Sequence, residues 1–253
     1  MILDQFRLEG QVAVITGGNR GLGLSIAAAL AEAGADIVSA QHAAQAPALA
    51  ERAARAGRRS LAVSVELKDD ASAAQVLAVA LAEFGRVDIL VNNAGIQRRA
   101  PSEDFSLADW DEVMDINLRA AFVYSQTFGR HFLAQGGGKI INIASVQSLI
   151  GGWTIPAYTA SKHGLAGLTK TLCNEWAGRG ININGIAPGY MDTDMTAALK
   201  ADPERSRAIN ARIPAGRWGQ PDDLAGAVVF LASPASNYIN GHILVVDGGW
   251  MAR

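Results

Sequence analysis

The sequence predicts an α/β fold, a parallel β-sheet with helices packed on both faces. Three observations carry that reading. Short apolar runs alternate with longer segments of helical periodicity along the chain, the pattern of repeated βαβ units. The first apolar run passes into a cluster of glycines and then into a helical pattern. The chain has 253 residues, 49% of them hydrophobic, enough for one large core.

Taken in order, the first strand run is 12–16, and the helical pattern 22–33 follows the glycines. Gly34 stands where a helix C-cap is expected. A strand at 36–40 precedes a helix at 46–56, and Gly57 marks the stop of that helix. The strand 60–65 and helix 72–84 come next, then a strand at 87–92 that runs into Asn92-Asn93-Ala94-Gly95. A long helical pattern covers 107–134 and carries Asn117. The strand 139–144 ends beside Ser145, and the helix 157–177 carries Tyr158 and Lys162. A strand at 181–186 leads into 188–221, which has no strand pattern and carries Pro203, Pro214 and Pro221 besides Pro188. That segment reads as a loop with short helices, a lid over a site. A helix at 222–232 and a strand at 243–246 complete the chain. No composition break marks a second domain, so 1–253 is expected to form a single domain with its lid at 188–221.

Composition excludes several classes. The net charge is −2, with no basic stripe, so nucleic acid is not an expected partner. No run of 18 apolar residues suggests a membrane span, and the start of the chain lacks a readable signal peptide. A cytoplasmic protein is expected. Cys173 is the one cysteine, which precludes an internal disulfide and reads as a small buried hydrophobe. His42, His131, His163 and His242 lie at no ligand-like spacing, so no metal is expected.

Two motifs carry chemistry. Gly17, Gly21 and Gly23 have GxxxGxG spacing between a strand and a helix. Glycines there let the backbone approach a pyrophosphate, and the helix start offers free N–H groups and a positive dipole end. The second motif is Ser145-x12-Tyr158-x3-Lys162. Tyr158 and Lys162, four apart, share one helical face. A free phenol is a poor base at neutral pH, and a neighbouring ammonium lowers its pKa. Ser145 is placed to hydrogen-bond the same substrate oxygen.

TGGNRGLG at 16–23, NNAG at 92–95, Asn117 in MDIN, Ser145, Tyr158-x3-Lys162 and PGYMDT at 188–193 together resemble the short-chain dehydrogenase/reductase family. The resemblance spans nearly the whole chain. It implies a seven-stranded Rossmann-type doubly wound sheet and a nicotinamide dinucleotide cofactor. It implies a cofactor site made of Gly17, Asn19, Arg20, Gly21, Leu22, Gly23, Gln41, Glu66, Leu67, Asn93, Ala94, Gly95, Tyr158, Lys162, Pro188, Gly189, Met191 and Thr193. It assigns Tyr158 as acid/base, Ser145 as positioner of the reacting oxygen, Lys162 as ribose and proton partner, and Asn117 as support for a water-mediated relay. It also implies a homotetramer.

Two positions depart from the family pattern. Gln41 and His42 stand where an acid often grips both ribose hydroxyls of NAD, and neither repels a 2′-phosphate. Arg20 can attract one. Glu66 stands where aspartate is usual. Further stretches, among them NNAGIQRR, KIINIASVQS and NGHILVVDGGWMAR, resemble a branch that interconverts a secondary alcohol and a ketone on deoxy sugar acids. On that resemblance NAD is expected to be preferred modestly over NADP. A sugar acid also suits Arg98 and Arg99 as carboxylate clamps and Gln147 as a hydroxyl partner. The alternatives are another reductase of the same fold, acting on gluconate or on acyl thioesters, and a dinucleotide-sensing protein without catalysis.

Overall fold

The computed structural model describes residues 1–253. Seven strands form one sheet: β1 (Val12–Thr16), β2 (Asp36–Gln41), β3 (Ser60–Ser64), β4 (Ile89–Asn92), β5 (Gly138–Ile143), β6 (Ile181–Pro188) and β7 (Ile243–Val246). Their order is β3-β2-β1-β4-β5-β6-β7, and each neighbouring pair is parallel. The helices are α1 (Gly21–Glu32), α2 (Pro47–Arg55), α3 (Ser72–Phe84), α4 (Leu107–Met114), α5 (Ala120–Gln135), α6 (Pro156–Trp176), α7 (Ala197–Ala201), α8 (Pro203–Arg212) and α9 (Ala225–Ala232). No helix is long and apolar enough to cross a membrane.

The sheet is apolar on both faces because helices cover both. Successive strand residues point to opposite faces. On β1, Ala13 and Ile15 join a core with α1, α2 and α9, through Ile26, Leu30, Leu49 and Val228. Val12 and Val14 join the opposite core with α3, α5 and α6, through Val76, Phe128, Phe132 and Leu172. Phe128 and Phe132 are fully buried. Truncating either to alanine costs on the order of 3–5 kcal/mol.

The helix expected at 107–134 is interrupted. Asp115–Arg119 forms a π-helical turn between α4 and α5. The helix expected at 222–232 begins as a 3-10 turn over Pro221–Leu224 before α9. Gly34 and Gly57 do end their helices, with φ of +113° and +69°. The proline-bearing stretch 188–221 folds into α7 and α8. The Asp202 carboxylate accepts from the N–H groups of Glu204 and Arg205 and caps α8, and Pro203 takes its first position.

Candidate active site

A cleft of about 650 Å³ opens beyond the carboxyl ends of the strands, where the strand order reverses between β1 and β4. That crevice is the usual ligand position in open α/β sheets. Each of the eighteen residues expected to hold the cofactor lines it, from Gly17 to Thr193.

The glycine turn shapes one end. Gly21 has φ of +54°, a conformation that side chains disfavour. A Cβ on Gly23 would stand 2.0 Å from the Gly17 carbonyl oxygen and 2.5 Å from Asn93 Nδ2. Asn93 Nδ2 donates to the carbonyls of Thr16 (2.9 Å) and Gly17 (3.2 Å). Thr16 Oγ1 accepts from the N–H groups of Asn93 and Ala94, both at 3.0 Å. These bonds tie the ends of β1 and β4 together. The start of α1 has no side-chain cap and no acid in its first turn, so its N–H groups remain for an anion. A glycine cradle, an uncapped helix start and a long cleft together fit a dinucleotide.

Gln41 lines the cleft but is engaged internally. Its Oε1 accepts from Ser39 Oγ at 2.6 Å, and its Nε2 donates to the carbonyls of Ala43 and Gln45, both at 3.0 Å. With both amide hydrogens committed to the loop after β2, Gln41 has no N–H left for a ribose hydroxyl. Arg20 Nη1 lies 3.7 Å from Asp194, and both are highly exposed. Glu66 is also exposed at the rim, its Oε1 accepting from the Lys68 N–H at 3.4 Å.

The other end gathers Ser145, Tyr158 and Lys162. Ser145 follows β5, and its Oγ accepts from the Gln147 N–H at 3.1 Å. Lys162 is 4% exposed, and its Nζ donates to the Ile143 carbonyl at 2.7 Å. Nζ sits 5.7 Å from the Tyr158 ring centroid. Burial pulls the Lys162 ammonium down to about 8. Burial pushes the Tyr158 phenol above its ordinary value, and its bond with the Ser145 hydroxyl opposes that rise. The expected lowering of the phenol by Lys162 is thus not the dominant effect in the free chain. Desolvation weakens the charged form of both groups.

Asn117 does not line the cleft. Its Oδ1 accepts from the Ile96 N–H (2.8 Å), and its Nδ2 donates to the Ile96 carbonyl (2.9 Å) and Ser161 Oγ (3.2 Å). It clasps the loop after β4 against α6. The extra residue of the π turn accompanies this inward placement.

The expected substrate residues divide. Arg98 turns to α4, pairing with Glu112 at 2.8 Å and Asp109 at 3.4 Å. It lies off the cleft, as do Arg99 and Gln147, and two carboxylates already satisfy its charge. Arg99 Nη1 instead bonds the Trp153 carbonyl (2.9 Å) and Thr154 Oγ1 (2.8 Å) and pairs with no acid. The Gln147 Oε1 is buried without a partner. The sequence reading passed over Thr16, Ile96 and Ile143. Thr16 acts through its hydroxyl, and the two isoleucines act here through backbone groups, which leave no side-chain signature.

The family model described as enoyl-(acyl carrier protein) reductase matches residues 17–251. The chain is similar to the 2-dehydro-3-deoxy-D-gluconate 5-dehydrogenases of Dickeya dadantii and Escherichia coli, 52% identical in each case over 254 residues and 100% of both chains. It is also similar to the crystal structure of a gluconate 5-dehydrogenase from Burkholderia cenocepacia in complex with NADP and tartrate. There the TM-score is 0.96 at 46% identity, covering 100% of both chains.

Proposed function

The chain belongs to the short-chain dehydrogenase/reductase family, and from that premise we propose that it interconverts a secondary alcohol and a ketone on a deoxy sugar acid. The observation that carries the reading is the convergence of Ser145, Tyr158 and Lys162 at one end of a cleft whose other end is a glycine cradle. The sugar-acid class is supported by the relatives, which act on 2-dehydro-3-deoxy-D-gluconate by their names.

The protein is an NAD(P)-dependent oxidoreductase. The residues from Gly17 to Gly23, with Asn93 to Gly95 and Pro188 to Thr193, would hold the dinucleotide, which supplies the hydride donor or acceptor when bound. The residues of the chain handle the proton. Tyr158 gives its phenolic proton to the developing alkoxide in reduction and takes it back in oxidation. Ser145 hydrogen-bonds the reacting oxygen. Lys162, fixed on the Ile143 carbonyl, keeps positive charge beside the phenolate. Asn117 holds the loop at Ile96 in place behind them.

Neither cofactor is excluded by charge. Gln41 carries none, and Arg20 is held only by an exposed pair with Asp194. The loop after β2 takes both amide hydrogens of Gln41, so a ribose hydroxyl would be held there only by the remaining lone pair of its Oε1. A lid role for 188–221 is supported by Thr193, Asp194, Met195 and Thr196 lining the cleft. Cytoplasmic residence and homotetrameric assembly belong to the same reading. The single cysteine suits a reducing compartment.

Steady-state kinetics with NADH and NADPH, on keto-deoxy sugar acids, gluconates and acyl thioesters, test the proposal. Turnover of sugar acids well above thioesters is expected. Turnover confined to thioesters would favour the description of the family model and refute the sugar-acid reading.

A further inference from the structure

We propose that Asp194 biases the choice between the two dinucleotides, because its carboxylate competes with a 2′-phosphate for the Arg20 guanidinium. The ligand comes from the NAD(P)-dependent reading of the cleft, on which this inference rests.

Both residues line the cleft. Arg20 stands immediately before α1, in extended conformation, and Asp194 follows Thr193 in the lid segment. Arg20 Nη1 lies 3.7 Å from Asp194 Oδ2, and neither side chain has another ion partner. Arg20 is the one arginine among the residues of the cleft. The ammonium of Lys162 is buried at the other end, on the Ile143 carbonyl. Glu66, the other carboxylate lining the cleft, forms no ion pair. Asp192, two residues before Asp194, is already held by Lys200.

At 3.7 Å the two charges attract without a direct hydrogen bond, and the Arg20 guanidinium donates to nothing else in the protein. Its five N–H donors therefore remain for a ligand. The glycine turn that carries Arg20 is bonded to the end of β2. The Gly18 N–H donates to Ser39 Oγ at 3.0 Å, and Ser39 Oγ donates to Gln41 Oε1 at 2.6 Å. In sheets of this type the ribose hydroxyls of a dinucleotide are read at that strand end, and a nearby arginine accommodates a 2′-phosphate. From Ser39 to Ala43 the strand end carries no acid. Asp194 is thus the carboxylate that a 2′-phosphate would have to displace from Arg20.

A carboxylate carries one negative charge. A 2′-phosphate carries nearly two, with three acceptor oxygens that suit a guanidinium fork. The phosphate can therefore take Arg20, but it leaves Asp194 unpaired beside a second anion. NADP binding bears the loss of the pair and that repulsion, whereas NAD binding leaves the pair intact. The pair is highly exposed, which limits its effect to a few-fold in affinity. The competition shifts selectivity toward NAD by a modest amount, without an acid at position 41.

The test measures the Kd of NAD and of NADP by calorimetry, with no turnover involved. Wild type is compared with Asp194→Asn, Arg20→Gln and the double variant. Asp222→Asn is the control, since it removes an exposed carboxylate outside the cleft. Asp194→Asn should lower the NADP Kd by roughly two- to fivefold and leave the NAD Kd unchanged. In the Arg20→Gln background the same substitution should lose most of that gain. Asp222→Asn should shift neither Kd. An unchanged NADP Kd in Asp194→Asn overturns the competition. So does an equal gain for both dinucleotides, a matching gain in Asp222→Asn, or a gain of equal size without Arg20. If wild type binds neither dinucleotide, the oxidoreductase reading itself fails, an outcome distinct from binding with unaltered selectivity.

Discussion

At the residue scale, Lys162 holds a charge where charge is costly. Its folded pKa of about 8 lies below the ordinary 10.5 because burial penalises the ammonium. Between those values the unfolded chain binds more protons, so this lysine makes stability rise with pH across that window. Below about pH 8 the cost is fully present. Lys162→Met is therefore expected to be inactive yet more stable than wild type at pH 7, by at most about 3 kcal/mol. The advantage should vanish as pH rises to about 10.5. Urea unfolding at several pH values checks this, and a pH-independent difference would refute it. Tyr158 is raised by burial, so it is protonated at neutral pH and ready as an acid. Tyr158→Phe should lose roughly 10²–10⁴ in turnover. Its dinucleotide affinity should stay near wild type, because the ring still fills its place. Retention of a tenth of wild-type kcat would remove Tyr158 from the acid/base role.

At the element scale, the strand-turn-helix over β1 and α1 is the least tolerant part of the site. Gly23→Ala would place a methyl 2.0 Å from the Gly17 oxygen. The turn must open, and Asn93 must release β1. The variant is expected to lose at least tenfold in dinucleotide affinity, read by fluorescence titration, with near-native circular dichroism. Unaltered affinity would show that the turn is not the pyrophosphate cradle. This element was legible in sequence, since glycine spacing after an apolar run encodes a backbone shape directly. The π turn in Asp115–Arg119 was not. Its DINLR sequence has ordinary helical character, and the interruption accompanies the placement of Asn117 on Ile96, a contact across 21 residues of chain.

For the whole molecule, the sheet ends in β7, a half-buried apolar strand, ILVV, on the sheet edge. Open apolar edges invite pairing or coverage. Leu107 of α4 is 79% exposed and Phe122 of α5 is 41% exposed. Both features support the proposed homotetramer, in which helices and the last strand meet their copies about closed symmetry axes. Light scattering at micromolar concentration should give four protomers. A monomer would refute the assembly.

By itself, the sequence determined the alternating elements, the doubly wound sheet and the residues that gather in the cleft. Apolar periodicity, glycine spacing and the Ser145, Tyr158, Lys162 pattern are local and survive in one dimension. The tertiary structure alone decided where side chains point and what they already hold. Arg98 and Arg99 are adjacent, yet one is neutralised by α4 and the other is held by the Trp153 carbonyl and the Thr154 hydroxyl with no acid beside it. Gln41 lines the cleft, yet Ser39 and the loop after β2 already engage its amide. Lys162 read as the group that acidifies Tyr158, yet burial weakens the charge of both. Pairing, desolvation and orientation depend on neighbours distant in the chain, and folding alone brings those neighbours together.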